Sequence, residues 1–173
     1  MTTLMRHGRA TLVPLGQSHL ALTRTWANDA ELMRLMGRAA PVSEAEHQAW
    51  FESVVDRTDC AYFAVETGDG EHVGNTWLWA IDHRHRKAEM RIVIGDAAAR
   101  GRGIGTEAID LTCGRGFSEL KLHRIYAYVL ATNQVARRAF ERAGFVIEGT
   151  LRDDRWTGDR FVDADLLARL HNG

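Results

Sequence analysis

The segment Arg100–Thr106, with the sequence RGRGIGT, has a glycine at every second position and leads directly into residues that favour a helix. Glycine tolerates positive φ angles and allows a ligand to approach the backbone, so successive N–H groups can converge. The first turn of a helix adds free N–H donors and the positive end of its dipole. This pattern favours phosphate binding, with Arg100 and Arg102 adding charge. The alternative interpretation is a surface turn with solvated arginines.

Two other phosphate-binding motifs match this segment poorly. A P-loop requires Lys and then Ser or Thr after its last glycine, whereas Gly105 is followed by Thr106 and Glu107. Residues 103–108 satisfy the dinucleotide pattern G-x-G-x-x-A, but that pattern should follow the first strand and precede an acidic residue by about 20 positions. Here it follows the fourth predicted strand, and His123 and Arg124 occupy the later position. We therefore interpret the dinucleotide match as accidental.

The elements that must position this segment form one mixed α/β domain over residues 1–173, with no internal repeat or linker. Hydrophobic patterning predicts seven strands: Ala10–Leu15, Cys60–Glu66, His72–Ile81, Ala88–Gly95, Leu122–Ala131, Phe145–Leu151 and Arg160–Leu170. The last of these could equally be helical in its second half. Four helices are predicted. The first begins after Ser18 as N-cap, with Leu22, Trp26, Leu32 and Met36 facing the core, and the second begins after Ser43, with Glu46 completing a capping box. The third begins at Gly103, and the fourth covers Val135–Ala143, between Asn133 and Gly144.

Composition limits the partners and the compartment. The 173 residues carry a formal net charge of -1 and are 45% hydrophobic, which is typical of a soluble globular protein with no general attraction to nucleic acid or membranes. The first residues lack the pattern of a secretion signal, and the longest apolar run, Trp77–Ile81, is too short to span a bilayer. Cys60 and Cys113 are expected as buried thiols. We expect a cytoplasmic protein that binds neither nucleic acid nor membranes.

Two segments together resemble the GNAT superfamily of acetyl-CoA-dependent N-acetyltransferases. Arg100-x-x-Gly103-x-Gly105, after an apolar strand and at a helix start, is similar to the R/Q-x-x-G-x-G/A pyrophosphate loop of that superfamily. The segment ATNQVARRAFERAGFVIEGTLR is similar to its second cofactor segment, with Asn133 at the helix start and an aromatic residue at Phe140. The adjoining strands resemble the RimJ/RimL-like branch, which also contains spermidine acetyltransferases. The resemblance is close over about residues 72–160 and loose over the N-terminal helices.

This resemblance implies a fold and a cosubstrate. The implied GNAT fold is α/β, of the α+β type, with a mixed, mostly antiparallel sheet of six to seven strands that splays between the fourth and fifth strands and about four flanking helices. Acetyl-CoA is the implied cosubstrate, its pantetheine arm lying between the splayed strands, and no metal is implied. The residues implied to bind it are Ile92, Val93, Ile94, Arg100, Gly101, Arg102, Gly103, Ile104, Gly105, Thr106, Asn133, Ala136, Arg137, Arg138 and Phe140.

Three of these residues also have simpler interpretations. Asn133 is equally expected as a plain helix N-cap, whether or not it contacts the coenzyme. Arg137 lies four residues before Glu141, so Arg137 and Arg138 could belong to a solvated helix face instead of reaching phosphates.

Attack of an amine on a thioester requires a deprotonated amine. An alkylamine with a pKa near 10 is almost wholly protonated at neutral pH, so a base must take its proton. Glu89, on the strand beside the implied thioester, is the candidate. The alternative is a structural carboxylate paired with Arg86, Lys87 or Arg91. A backbone N–H at or near Val93 is the implied donor to the developing charge on the thioester oxygen.

Phe140 departs from the pattern of the superfamily. Many members carry a tyrosine there as general acid, and phenylalanine has no hydroxyl group. Tyr128, or Tyr126 on the same strand, is the candidate substitute, although both could be buried sheet aromatics. A thiol with a pKa of about 8.5 leaves readily as thiolate, so water could also supply the proton.

The identity of the acceptor stays open at this point. Segments of the chain resemble polyamine, aminosugar and protein N-terminal acetyltransferases, so the acceptor is a small-molecule amine or a peptide. The family implies a homodimer. The competing hypothesis is a non-catalytic acyl-CoA sensor that has lost turnover, which the phenylalanine at Phe140 would suit. His83 and His85 with Glu89 form no closed four-ligand metal set in the sequence.

We predict that the protein is active despite Phe140. The variant Phe140→Tyr should change kcat by no more than about 10² to 10⁴-fold, the range of general-acid contributions. Steady-state release of coenzyme A thiol checks this. A wild-type protein that binds acetyl-CoA and gives no thiol release with any amine would contradict the prediction.

Overall fold

The computed structural model describes residues 6–7, 9–38 and 40–172 of the chain, with side chains from Arg9 onward. It contains one mixed sheet in the order β1-β2-β3-β4-β5-β6-β8-β7. Every neighbouring pair is antiparallel except β5 and β6, which are parallel. The strands are β1 Arg6–His7, β2 Ala10–Pro14, β3 Ala61–Thr67, β4 His72–Asp82, β5 Lys87–Ile94, β6 Arg124–Leu130, β7 Val146–Trp156 and β8 Phe161–Leu170. All seven predicted strands are therefore present, and the last is a strand throughout.

Within the described ranges, five α-helices flank the sheet: α1 Leu20–Ala27, α2 Ala30–Leu35, α3 Glu44–Val54, α4 Ile104–Ser118 and α5 Gln134–Arg142. The prediction of a single helix after Ser18 was wrong. Helix α1 ends at Ala27, and Asp29 caps a second helix, α2, by accepting a hydrogen bond from the Leu32 amide. Ser18 lies instead in a short 3-10 turn and caps nothing. Leu22 and Met36, expected to face the core, are 45% and 39% exposed.

The other helix boundaries follow the predicted caps. Ser43 and Glu46 form a capping box at the start of α3, with the Glu46 carboxylate accepting from the Ser43 amide at 2.8 Å. This bond and that from the Ser43 hydroxyl lower the pKa of Glu46. Asn133 accepts from the Ala136 amide at the start of α5, and Gly144 follows its end with φ +85°. Local sequence therefore determines these ends.

Two buried clusters fix α4 and α5 against one face of the sheet. The larger contains Met90 of β5, Ala127 of β6, Cys113 of α4 and Phe140 of α5. The smaller joins β2 and β3 to the first half of α4. Cys60 and Cys113 are both buried free thiols, as expected, and burial raises the pKa of Cys113 to about 12. Alternation along the strands turns the remaining side chains toward the opposite face, where α1 and α3 pack.

The strands β5 and β6 pair over three residues only. Lys87, Ala88 and Glu89 align with Arg124, Ile125 and Tyr126, after which the two strands separate. From there β5 stays paired with β4, and β6 stays paired with β8. We call the space between β5 and β6 beyond the Glu89 and Tyr126 pair the gap. The expected splay between the fourth and fifth predicted strands is confirmed.

None of the helices in the described ranges combines the length and the apolar character that a membrane crossing requires.

Candidate active site

The segment Arg100–Thr106, which we call the glycine loop, follows β5 and includes the first residues of α4. Gly101 and Gly103 have φ angles of +71° and +82°, which an L side chain rarely adopts. Ile104 is buried in the smaller core cluster and anchors the segment to the domain. The Arg100 guanidinium folds back and donates to the carbonyl groups of Ile94 and Gly95 at 2.9 and 3.2 Å. Arg100 therefore stabilises the conformation of the loop. The sequence pattern suggested instead that the charge of Arg100 contacts the ligand directly.

Free amides converge at the start of α4. The first bond within the helix runs from the Glu107 amide to the Gly103 carbonyl. The amides of Ile104, Gly105 and Thr106 have no acceptor among the described residues. An open cleft of about 710 Å³ begins at this turn, and its lining includes Thr106 and, further along, Arg142 and Arg169. Unpaired donors at a helix N-terminus suit a diphosphate, so this loop matches the needs of coenzyme A.

The gap exposes alternate backbone groups of β5. The Gly95 amide donates to the Val73 carbonyl of β4 at 2.9 Å. Hydrogen-bonded pairs alternate along an antiparallel ladder, so Val93, which aligns with Asn75, also directs its N–H toward β4. The Val93 N–H is thus used by the sheet, so a donor near Val93 to the thioester oxygen has to be the N–H of a neighbouring residue. The groups that face the gap belong to Met90, Ile92 and Ile94.

Glu89 lies at the last paired position before the gap, on the sheet face opposite α4 and α5. Its carboxylate accepts from Nε of Arg91 at 2.7 Å, and its side chain is largely buried. The ion pair is one of the structural alternatives that the sequence left open. It also orients the carboxylate beside the gap. Glu89 therefore stays the candidate base.

The two tyrosines of β6 lie on the same face as Glu89. Tyr126 aligns with Glu89, and its ring packs edge-on against that of Tyr128 with centroids 5.9 Å apart. Burial, with the negative charge of Glu89, raises the pKa of Tyr126, so the phenol stays protonated at neutral pH. Tyr128 is 38% exposed, and the Arg155 guanidinium lies over its ring.

Phe140 is 3% exposed and packs edge-on against Phe145. It contributes to the core at this position, where the sequence pattern of the superfamily would place an acid.

The residues predicted at the start of α5 fall into two groups. The side-chain oxygen of Asn133 caps the helix, and Ala136 packs against the larger core cluster. Arg137 forms ion pairs with Glu141 and the buried Asp165, which favours the structural interpretation of this arginine. Arg138 is exposed and has no ion-pair partner within the described ranges. Of the two arginines, Arg138 keeps its guanidinium available for a phosphate.

The histidines that precede Glu89 have separate partners. His85 bonds to Asp82, and His83 approaches the Thr58 carbonyl at 3.4 Å. In the part of the chain that the structure describes, no three His, Cys, Asp or Glu side chains converge as a metal site would require.

This arrangement of separated strands, glycine loop and helix occurs in a chain that matches a known protein family. The model of the acetyltransferase (GNAT) domain matches residues 9–146, which is most of the chain. The chain belongs to the GNAT acetyltransferase family. Spermidine N(1)-acetyltransferase of Escherichia coli is 29% identical over 153 residues, which cover 88% of this chain and 81% of that protein. A probable N-acetyltransferase of Bacillus subtilis is 42% identical over 125 residues, covering 70% of this chain and 67% of that protein.

Solved structures agree with this GNAT assignment. The structure of spermidine N-acetyltransferase from Vibrio cholerae, in complex with CoA and spermine, superposes with a TM-score of 0.88. It is 26% identical and covers 93% of this chain and 95% of its own. Another structure of that enzyme is described as dodecameric. These relatives favour an enzyme over an acyl-CoA sensor. The chain is an acetyl-CoA-dependent N-acetyltransferase.

The variant Gly103→Val should weaken coenzyme A binding by at least about tenfold, because a β-branched residue at this positive φ forces the loop to rearrange. Its Cβ would also lie 3.2 Å from Nη1 of Arg9. Isothermal titration with coenzyme A measures the change.

Gly37→Val is the matched control for this substitution. Gly37 has φ +68°, and nothing lies within 4 Å of the added Cβ, so the same backbone strain arises outside the loop. Gly37→Val should lower stability and leave the coenzyme Kd unchanged. Equal affinities for wild type and Gly103→Val would contradict the loop assignment.

Proposed function

We propose that this enzyme transfers the acetyl group of acetyl-CoA to a primary amine of a polyamine, with Glu89 as the base. The observation that carries the proposal is the position of Glu89 at the last paired residue before the gap. The relatives named for spermidine support the acceptor class. A peptide N-terminus and a nucleotide-linked aminosugar are the alternative acceptors that the experiment below distinguishes.

Glu89 is proposed to remove the proton from the acceptor ammonium, directly or through a water molecule. An amine with a pKa near 10 holds its proton at neutral pH, and only the neutral form has a lone pair for attack. The Arg91 guanidinium fixes one carboxylate oxygen of Glu89, which leaves the other to accept the proton. The acetyl-CoA thioester supplies the electrophilic carbonyl carbon when it is bound.

The backbone and a tyrosine are proposed to complete the site. An N–H of Ile92 or Ile94, facing the gap, is proposed to donate to the carbonyl oxygen of the acetyl group as its charge develops. Tyr126 and Tyr128 are the two hydroxyl groups considered for protonating the thiolate. Tyr126 is favoured because it aligns with Glu89 at the last paired position of the two strands.

Self-association is also proposed, with a homodimer as its smallest form. The edge strand β7 is exposed along most of its length, and Trp156 and Phe161 pack together at the exposed tip of its hairpin with β8. A cytoplasmic location is proposed because the two cysteines are free thiols.

Thiol release should be fastest with a polyamine. The assay compares spermidine and spermine with an alanyl peptide, free amino acids and a nucleotide-linked aminosugar at equal concentration. We expect kcat/KM for a polyamine to exceed that for the others by about tenfold or more, since each 1.4 kcal/mol of differential binding gives this factor. A higher value for the peptide or the aminosugar would assign that acceptor instead.

The variant Glu89→Gln should lower kcat at neutral pH by about 10² to 10⁴-fold, the usual contribution of a general base. The deficit should narrow near about pH 9.5, where free amine is already abundant. Asp59→Asn is the matched control, because Asp59 also pairs with an arginine two residues away, at 2.7 Å from Nε of Arg57. A deficit that is constant with pH, or equal in both variants, would assign Glu89 a structural role.

A further inference from the structure

Arg9 lies at the glycine loop although 93 residues separate it in sequence from Arg102. It directly precedes β2, which packs against α4 through Ala10 and Leu12. Nη1 of Arg9 donates to the Arg102 carbonyl at 2.6 Å, and it lies 3.2 Å from the position that a Cβ on Gly103 would take. The guanidinium of Arg9 therefore lies beside the free amides at the start of α4.

The three arginines near this loop differ in how much of their charge is available. Arg100 is committed to two backbone carbonyls, and Arg102 is exposed at the turn. Arg9 uses one nitrogen for a neutral carbonyl, and a guanidinium has five N–H donors. Within the described ranges its guanidinium forms no ion pair with a carboxylate. Its positive charge is thus not neutralised by an ion pair.

The carboxylate of Glu107, near the loop, makes the positive charge of Arg9 important for binding a phosphate. Glu107 lies in the first turn of α4, where a negative charge would repel a phosphate bound at the helix N-terminus. Both of its carboxylate oxygens accept from the backbone N–H of Arg9, at 3.2 and 3.0 Å. Arg9 therefore holds the Glu107 carboxylate in place through its backbone, while its guanidinium brings a positive charge to the Arg102 carbonyl.

We propose that the Arg9 guanidinium binds a phosphate group of the coenzyme directly, as a ligand outside the glycine motif. This inference rests on the assignment of Arg100–Thr106 as the coenzyme loop. Arg9 acts from the side of α4 that carries β2, while the free amides act along the helix axis. A guanidinium pairs with phosphate oxygens through two parallel N–H bonds, which favours it over a lysine at such a site.

Isothermal titration with coenzyme A tests the inference on Arg9→Gln and Arg9→Lys. Gln keeps a neutral donor for the Arg102 carbonyl and removes the charge, whereas Lys keeps the charge. We expect Arg9→Gln to raise Kd about 10- to 100-fold, as the loss of a charged hydrogen bond does, and Arg9→Lys to recover part of it. Affinity should also depend less on salt concentration in Arg9→Gln than in the wild type.

A truncated cosubstrate separates phosphate binding from effects on the rest of the site. Acetyl-pantetheine lacks the nucleotide and its phosphates, so kcat/KM with this cosubstrate should be the same in Arg9→Gln and the wild type. The control Arg84→Gln removes the same charge from an exposed turn at the other end of β5, about 25 Å away by strand length, and should leave Kd unchanged.

Three outcomes would overturn the inference. A coenzyme A Kd for Arg9→Gln equal to that of the wild type would show that the charge of Arg9 does not contribute to coenzyme binding. Equal losses in the Gln and Lys variants, with an unchanged salt dependence, would mean that Arg9 only supports the Arg102 carbonyl. Failure of the wild-type protein to bind coenzyme A would remove the loop assignment itself, and this result is independent of which amine the enzyme acetylates.

Discussion

The separation of β5 from β6 is the constraint on which the rest of the site depends. Each strand remains hydrogen-bonded on its outer side, to β4 and β8, so the sheet stays rigid while its centre opens. Beyond Glu89 and Tyr126, the backbone groups of β5 that face the gap have no partner strand. Unpaired backbone groups are costly when buried, so on the proposed coenzyme position the amide groups of the pantetheine arm would pair with them. The separation of the two strands therefore determines both the shape of the sheet and the proposed binding site.

The features that depend on local sequence could be predicted. Positive φ angles at Gly101 and Gly103, the Asn133 cap and the capping box at Ser43 all follow from residue type within one turn of chain. The strands followed from alternation, because one face packs on α4 and α5. The glycine loop was recognisable for the same reason, since its conformation, its helix start and its charge lie within seven consecutive residues.

Features that depend on distant contacts could not be predicted. Arg9 lies in no local pattern, and only the packing of β2 on α4 brings it to the loop. The direction of the Val93 N–H depends on the register with β4, which the sequence of β5 does not contain. The break between α1 and α2 occurs where Asn28 exchanges hydrogen bonds with the backbone of Val42. That contact competes with the continuous helix that the apolar spacing favoured.

The loss of a hydroxyl at Phe140 is compatible with the electrostatics of the gap. Phe140 contributes to the core with Phe145, so a proton for the thiolate must come from elsewhere. The carboxylate of Glu89 disfavours a second negative charge nearby, and together with burial it raises the pKa of Tyr126. The Tyr126 phenol therefore keeps its proton at neutral pH. On the proposed assignment, Glu89 as the base and Tyr126 as the acid occupy the last paired positions of the two strands.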